Sequence, residues 1–409
     1  MSLLALPSTL HRLLPLRAEV DLDALRHNVR ALKARAGEAE VMGVIKADAY
    51  GHGAVPVARV LAEEGVGRFA VANVPEGVEL REAGLDAPVL VLGALLPEYL
   101  PACARYGLAV SVTSPDVAEA VVEAAEKAGP LTVHLKVDTG MNRLGVEPED
   151  VPAVLARLRA APGVAVEGIM THFATVDRRY TFEQMAAFDA LLGQLGGDAP
   201  PLVHVANSGT LLALPETVAG RALARVGGAL FGLVSERVAE AEAADLRPVM
   251  RLTSRVVHVQ TVAAGEAVSY GRTWVAAQPT RVAVVAGGYG DGLARALSNV
   301  GAVGVGGRLW PIAGRVCMDM LMLDLGDPGG AGAAVRPGDE AVLFGTGGPS
   351  ALHVAERAGT IAYAVTCGLT ARVPRVYVGV EAAGPRPEPL LADGEAPAEA
   401  GANRARVPA

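Results

Sequence analysis

The sequence predicts an α/β protein: a (β/α)8 TIM-like barrel followed by a mainly β C-terminal domain. Three observations carry this. Eight short apolar runs alternate with helix-like segments between Val41 and Gly228, and strands that alternate with helices pair in parallel and, in eight units, close a barrel. Beyond about Val249 the alternation gives way to β-rich runs separated by Gly, Pro and Asp turns. The 409 residues, 51% hydrophobic and 20% charged, suit a globular chain of about two domains.

In chain order, residues 1–17 form a leucine-rich leader broken by Pro7, His11, Arg12, Pro15 and Arg17. It lacks the continuous apolar centre of a secretion signal. The barrel is expected over residues 18–248, with strands in the runs 41–46, 68–73, 88–93, 107–112, 132–138, 166–173, 202–207 and 221–228. Between them, "VPVARVLAEEG", "SPDVAEAVVEAAEKAG" and "FEQMAAFDALLGQLG" repeat apolar residues at helical spacing. The β domain is expected over 249–380, in "RLTSRVVHVQTVA", "AVSYGRTW", "TRVAVVAGGYG", "GRLWPIAGRVCMDMLMLDLG" and "DEAVLFG". A helix-like stretch at 351–371 and a strand-like "RVPRVYVGV" complete it. Residues 381–409, rich in Pro, Ala, Gly and charge, read as a disordered tail.

Composition excludes several classes. A net charge of -8 with no basic patch argues against a nucleic-acid partner. Three scattered cysteines build neither a disulfide framework nor a zinc site, no metal is expected, and the cytoplasm fits. No run of about 18 apolar residues suggests a membrane span. Only four of the 36 basic residues are lysines: Lys33, Lys46, Lys127 and Lys136. Lys46 and Lys136 both close apolar runs, where an ammonium group is costly and an amine can lose its proton. Taken alone, Lys46 fits either a structural ion pair or an amine made to react. Lys46, Asn73, Lys136, His172 and Asn207 all fall at the C-terminal ends of their runs, the face that carries chemistry in such barrels. Gly227 and Gly228, after the eighth run, stand where barrels often bind phosphate through backbone N–H groups, with Ser208 nearby in sequence pattern.

Seven motifs in sequence order, "VIKADAYGHGA", "KVDTGMNRLGV", "GIMTHFATVD", "HVANSGTLL", "VSYGRTW", "GRVCMDM" and "RVPRVY", resemble alanine racemase from about Val20 to Val378. That family uses pyridoxal 5'-phosphate (PLP). The resemblance implies that Lys46 carries the cofactor and moves the Cα proton on one face, with Tyr270 as the acid/base on the other. A free phenol titrates near 10 and needs a cationic neighbourhood to act as a base; the resemblance supplies His172 and Arg225. Arg225 also matches the residue facing the pyridine nitrogen, where a group that never gives up its proton leaves the ring unprotonated. Tyr50, Ser208, Tyr363, Gly227 and Gly228 match phosphate-binding positions; Arg143 and Met318 match contacts to the substrate carboxylate. Lys136 matches a position carbamylated in some members. The resemblance further implies a homodimer in which Tyr270 and Met318 serve the partner's site. Tyr289, Arg295, Arg315, Asp177 and Ile361 match its substrate channel.

Departures from the family pattern are Asn142 in place of a common glycine, Ala364 where glutamate is frequent, and Gly228 where a larger aliphatic is frequent. The expected function is interconversion of L- and D-alanine by two-base proton transfer, supplying D-alanine for peptidoglycan. The alternative is a broader-specificity or serine racemase of the same fold. A related-barrel decarboxylase would need an acid at the ring nitrogen, and a PLP-homeostasis protein would lack the β domain.

Overall fold

The structure is a computed structural model that describes residues 14–234, 238 and 245–379. The expected tail and most of the expected leader lie outside the described residues. The first strand, β1 (Arg17–Asp21), precedes the barrel in sequence. The barrel strands are β2 (Glu40–Val44), β3 (Arg68–Val71), β4 (Val89–Val91), β5 (Leu108–Val112), β6 (Leu131–Lys136), β7 (Val164–Met170), β8 (Leu202–Asn207) and β9 (Leu223–Val226). They pair in parallel in chain order, and β9 closes onto β2. All eight expected runs are therefore barrel strands. Their near-continuous apolar character follows from burial on both faces.

Helix starts follow from caps. Asp21, Asn73, Ser114, Asp177 and Asn207 each accept a hydrogen bond from the first turn of the helix that follows, which satisfies N–H groups the helix leaves unpaired. Outside the strands, apolar helix faces pack on the sheet around Phe69, Phe188 and Phe231, all fully buried. Inside, the barrel is two-sided. Met42, Val44, Ala70, Leu90 and Ala109 fill one side, whereas His134, His204 and Arg225 are buried on the other.

The second domain comprises β10 (Met250–Val262), β11 (Ala267–Val268), β12 (Trp274–Val275), β13 (Thr280–Ala286), β14 (Ala302–Val305), β15 (Arg308–Pro311), β16 (Met320–Asp324), β17 (Glu340–Phe344) and β18 (Arg375–Val378). The long β10 carries β17 and β13, with a register shift between Val256 and His258. Three features differ from the sequence reading. β1, placed with the barrel by sequence order, lies in the second sheet, antiparallel to β10 and parallel to β18. The stretch "AVGV" forms β14, a short run with two small residues that gave little strand signal. The helix-like 351–371 is two helices, Ala351–Ala358 and Ala362–Cys367, broken at Gly359 with φ 70°. No helix among the described residues is long and apolar enough to cross a membrane.

Candidate active site

At the C-terminal mouth of the barrel lies a cavity of about 540 Å³, lined in part by Lys46, Tyr50, Lys136, Arg143, His172, Ser208, Arg225, Gly227, Gly228 and Tyr363. That volume falls in the range of small-molecule sites. Ten positions singled out from sequence thus meet in one place.

Lys46 follows β2 after one residue, Ile45, and opens an unusual turn. Ala47, Asp48, Ala49 and Tyr50 all have φ between 52° and 55°, a left-handed stretch that costs L-residues roughly 1–2 kcal/mol each. The surroundings hold it. Glu76 accepts from the N–H groups of Ala47 and Ala72 at 2.9 and 2.7 Å, and Asp48 accepts from Ala54 N at 2.7 Å. His52, fully buried, donates from Nδ1 to the carbonyls of Ala49 and Tyr50, both at 3.0 Å, and stacks on Phe231. Burial holds this imidazole neutral, its pKa pushed down to about 4. Gly51 (φ 84°) lies against the Thr366 carbonyl, which a Cβ would meet at 2.2 Å. Strain of this kind persists where the fold over-determines it, typically at functional positions. The turn directs Lys46 and Tyr50 into one cavity.

The Lys46 amine is pushed below its ordinary pKa by burial and then by Arg143, against opposing pulls from Glu76 and Cys367. Lys136 is pushed down to about 8, again by burial and Arg143; its Nζ donates to the Leu144 carbonyl at 2.7 Å. Asp138 accepts from the backbone N–H of Gly140 and Asn142, shaping the loop that carries Arg143. Asn142 has φ 54°, a conformation that Asn tolerates better than most residues. The loop therefore keeps a glycine-like turn without glycine.

Arg225 is 4% exposed. Its NH1 donates to His204 Nδ1 (2.9 Å) and the His204 carbonyl (2.8 Å). Its NH2 donates to the carbonyls of Thr171 and Val205 (2.7 and 2.9 Å) and to His172 Nδ1 (3.1 Å). Burial lowers its pKa to about 10, which leaves it cationic at neutral pH. Guanidinium has no acceptor, so His172 and His204 each turn a bare Nδ1 toward it. Burial and Arg225 keep both imidazoles well below their ordinary pKa, so each carries its single proton on Nε2.

At the other end, Tyr50 and Tyr363 meet edge-to-face, ring centroids 5.6 Å apart. Burial raises both phenols, so they are neutral O–H donors. The glycines are there for space: a Cβ on Gly227 would meet the Tyr50 hydroxyl at 2.4 Å, and one on Gly228 the Tyr363 ring at 2.2 Å. Ser208 Oγ accepts from Gly227 N at 2.9 Å, leaving its own O–H to donate. Gly227 thus spends its N–H on Ser208. Neutral hydroxyls on a glycine turn are a cradle for an anion without an acidic rival.

Tyr270 and Met318 stand apart from this cavity in the single chain. They are 72% and 51% exposed on the β domain. Tyr270 sits between Ser269 (φ 69°) and Arg272 (φ 49°), non-glycine residues in left-handed backbone. Tyr289 and Ile361 are likewise exposed, and Asp177 caps a helix beside Val176, which lines the cavity. Of the strand-end polar residues, Asn73 and Asn207 serve as helix caps. Sequence reasoning passed over His52, Glu76 and His204. His52 lies within "VIKADAYGHGA" and His204 opens "HVANSGTLL", but neither motif gave them a role, and Glu76 had only its polarity after an apolar run as a signal. Among the described residues no group of three metal-ligating side chains occurs.

Residues 20–235 match the family model for the alanine racemase N-terminal domain, and 249–377 that for the alanine racemase C-terminal domain. The alanine racemase of Carboxydothermus hydrogenoformans is 42% identical over 373 residues, covering 89% of this chain and 100% of that protein. That of Desulforamulus reducens is 41% identical, covering 89% and 99%. The crystal structure of alanine racemase from a D-cycloserine-producing Streptomyces lavendulae superposes with a TM-score of 0.83 at 38% identity, covering 90% of this chain and 97% of that one. The alanine racemase of Bacillus anthracis with bound L-Ala-P gives 0.82 at 33%, covering 90% and 96%. Matched in both domains, in order and over nearly the full length of these relatives, the chain belongs to the alanine racemase family.

Proposed function

We propose that the chain interconverts L- and D-alanine with PLP as cofactor, Lys46 and a partner's Tyr270 being the two groups that move the Cα proton. The observation that carries this is the pairing, in one cavity, of a desolvated strand-end lysine with a buried cationic arginine and a phenol-lined glycine turn. The donor set fits PLP: Tyr50, Tyr363 and Ser208 for the phosphate, the Gly227–Gly228 backbone beside them, Arg225 for the ring nitrogen and Lys46 for the aldehyde carbon. When bound, PLP supplies an electron sink that acidifies the Cα–H of an amino acid.

The chain's residues do the rest. Lys46 Nζ, biased toward the neutral amine, takes or returns the proton at Cα on one face. On the opposite face the partner's Tyr270 does the same through its phenolic oxygen, and the His172 Nε2–H is the donor that would stabilise the phenolate. Arg225 cannot pass a proton to the ring nitrogen at neutral pH, so the electron sink stays weak and prompt reprotonation is favoured. Arg143 offers a planar fork to the substrate carboxylate, joined by the partner's Met318 N–H. This reading makes the enzyme a cytoplasmic homodimer that supplies D-alanine for peptidoglycan.

Two measurements test it. Borohydride should fix PLP on Lys46, and labelling at another lysine would overturn that assignment. Tyr270→Phe should keep PLP and lose most racemisation, by roughly a hundredfold or more; near-normal rates in both directions would exclude the phenol. A substrate panel of alanine, serine, lysine and arginine separates the alanine-specific from the broader reading.

A further inference from the structure

The polar side of the barrel interior does not end at His204. His204 Nε2 lies 2.8 Å from His134 Nδ1, and His134 Nε2 lies 3.3 Å from Glu167 Oε2. The other Glu167 oxygen takes an ion pair from Arg68 NH2 at 2.9 Å. We propose that Glu167 and His134 are positioning residues of the active site, forming with His204 a one-way hydrogen-bond relay that fixes the tautomer of His204 and so the orientation of the Arg225 guanidinium.

The direction follows from the ends. Arg225 can only donate, and an ionised Glu167 can only accept. Two neutral imidazoles between them satisfy every contact in one arrangement alone. Arg225 donates to His204 Nδ1, His204 Nε2–H donates to His134 Nδ1, and His134 Nε2–H donates to the Glu167 carboxylate. Turning either ring to its other tautomer sets N–H against N–H at one contact and lone pair against lone pair at the next. Hydrogen bonds to His134 and Arg68 hold the Glu167 carboxyl well below its usual range, which keeps the acceptor end ionised.

Two backbone concessions indicate that the relay is built rather than incidental. Gly168 has no Cβ, and one there would come within 2.2 Å of His134 Nδ1; its φ is not in the left-handed region, so the glycine is needed for space alone. The register between β6 and β7 also slips, pairing Val133 with Val166 but His134 with Gly168. Glu167 is the residue left unopposed. Bulges are rare between parallel strands and serve to re-aim a side chain. Here the bulge gives His134 a carboxylate partner. Buried polar groups that merely filled space would be replaced at little cost by apolar ones, whereas this chain leads from the barrel floor to Arg225.

The proposal rests on the reading that Arg225 faces the cofactor ring. Its test is Glu167→Gln in the purified holoenzyme, with Glu167→Asp as the conservative variant, since neither changes the barrel wall by more than a methylene or an amide. Histidine-labelled protein examined by two-bond nitrogen NMR should show Nε2–H tautomers at both His134 and His204, and Glu167→Gln should mix them. In that variant kcat should fall about tenfold with KM for alanine little changed. More pyruvate, left when alanine loses its amino group to the cofactor, should form per racemisation. Glu167→Asp should recover part of each effect. An Nδ1–H tautomer at either histidine of the native protein would overturn the relay. So would Glu167→Gln with unchanged tautomers, kcat and pyruvate yield, even if its melting point fell, because the cluster would then be structural only. A native protein that neither holds PLP nor racemises alanine would instead refute the functional reading, and the tautomer measurement would still judge the relay.

Discussion

At the scale of single residues, the scarcity of lysine proves informative. Both strand-end lysines have depressed pKa values, whereas Lys33 Nζ donates to the Glu64 carbonyl and Lys127 pairs with Glu123 at the surface. Lys136, near 8, holds a sizeable neutral fraction at physiological pH, which is the form that adds carbon dioxide. With bicarbonate carrying the NMR-active carbon isotope, a carbamate resonance should appear in the native protein and be absent in Lys136→Ala; its absence in both would show that Lys136 stays a plain amine. Motif matching reached Lys46, Tyr50 and Arg225. It gave no role to His204, which hydrogen-bonds Arg225, or to Glu76, which accepts from the backbone beside Lys46.

At the scale of elements, the left-handed turn after β2 is where local preference and tertiary need conflict most. "KADAYG" contains three good helix formers, Lys46 and two alanines, yet four residues run left-handed. Nothing in residue propensity forecasts that. It arises because Glu76 and His52 bind its backbone, while the Asp48 side chain ties it to the N–H of Ala54. Ala47 is exposed there with φ 52°, so Ala47→Gly should raise stability by about 1 kcal/mol, read as a higher urea midpoint. A loss of stability would mean that the turn is less strained than its dihedrals indicate. The barrel strands were legible because burial on both faces writes continuous apolar runs. β14 was not, being short and half glycine or alanine, and β1 was misplaced because chain order says nothing of which sheet a strand joins.

For the whole molecule, the separation of Tyr270 and Met318 from the Lys46 cavity makes assembly the decisive question. If each site combines one chain's Lys46 with its partner's Tyr270, two inactive variants should complement. Refolding Lys46→Ala together with Tyr270→Phe should restore about a quarter of the native sites, because half the dimers are mixed and half their sites are intact. No recovery would place both residues of a site on one chain. The buried histidines give the fold a pH signature. His52, His172 and His204 all titrate below the ordinary 6.5. Their neutral state is fully favourable above pH 6.5, and as pH falls the unfolded chain binds protons that the folded one refuses. Stability should therefore drop steadily from about pH 6.5 toward 4, with His52 alone contributing on the order of 3 kcal/mol. A flat denaturation midpoint across that range would contradict the burial of these rings.

The amino-acid sequence by itself determined the eight barrel strands in their order and the change to a mainly β second domain, and it nominated the groups proposed to react. Each of these is written locally, as periodicity, composition or motif. Only the tertiary structure decided how those groups are conditioned. It showed a lysine desolvated beside Arg143, an arginine held by two imidazoles, and two phenols admitted because Gly227 and Gly228 lack a Cβ. It also carried Tyr270 to an exposed face away from the cavity it is proposed to serve. These are properties of neighbours distant in the chain, set by packing and hydrogen bonding across the barrel, and no local pattern encodes them.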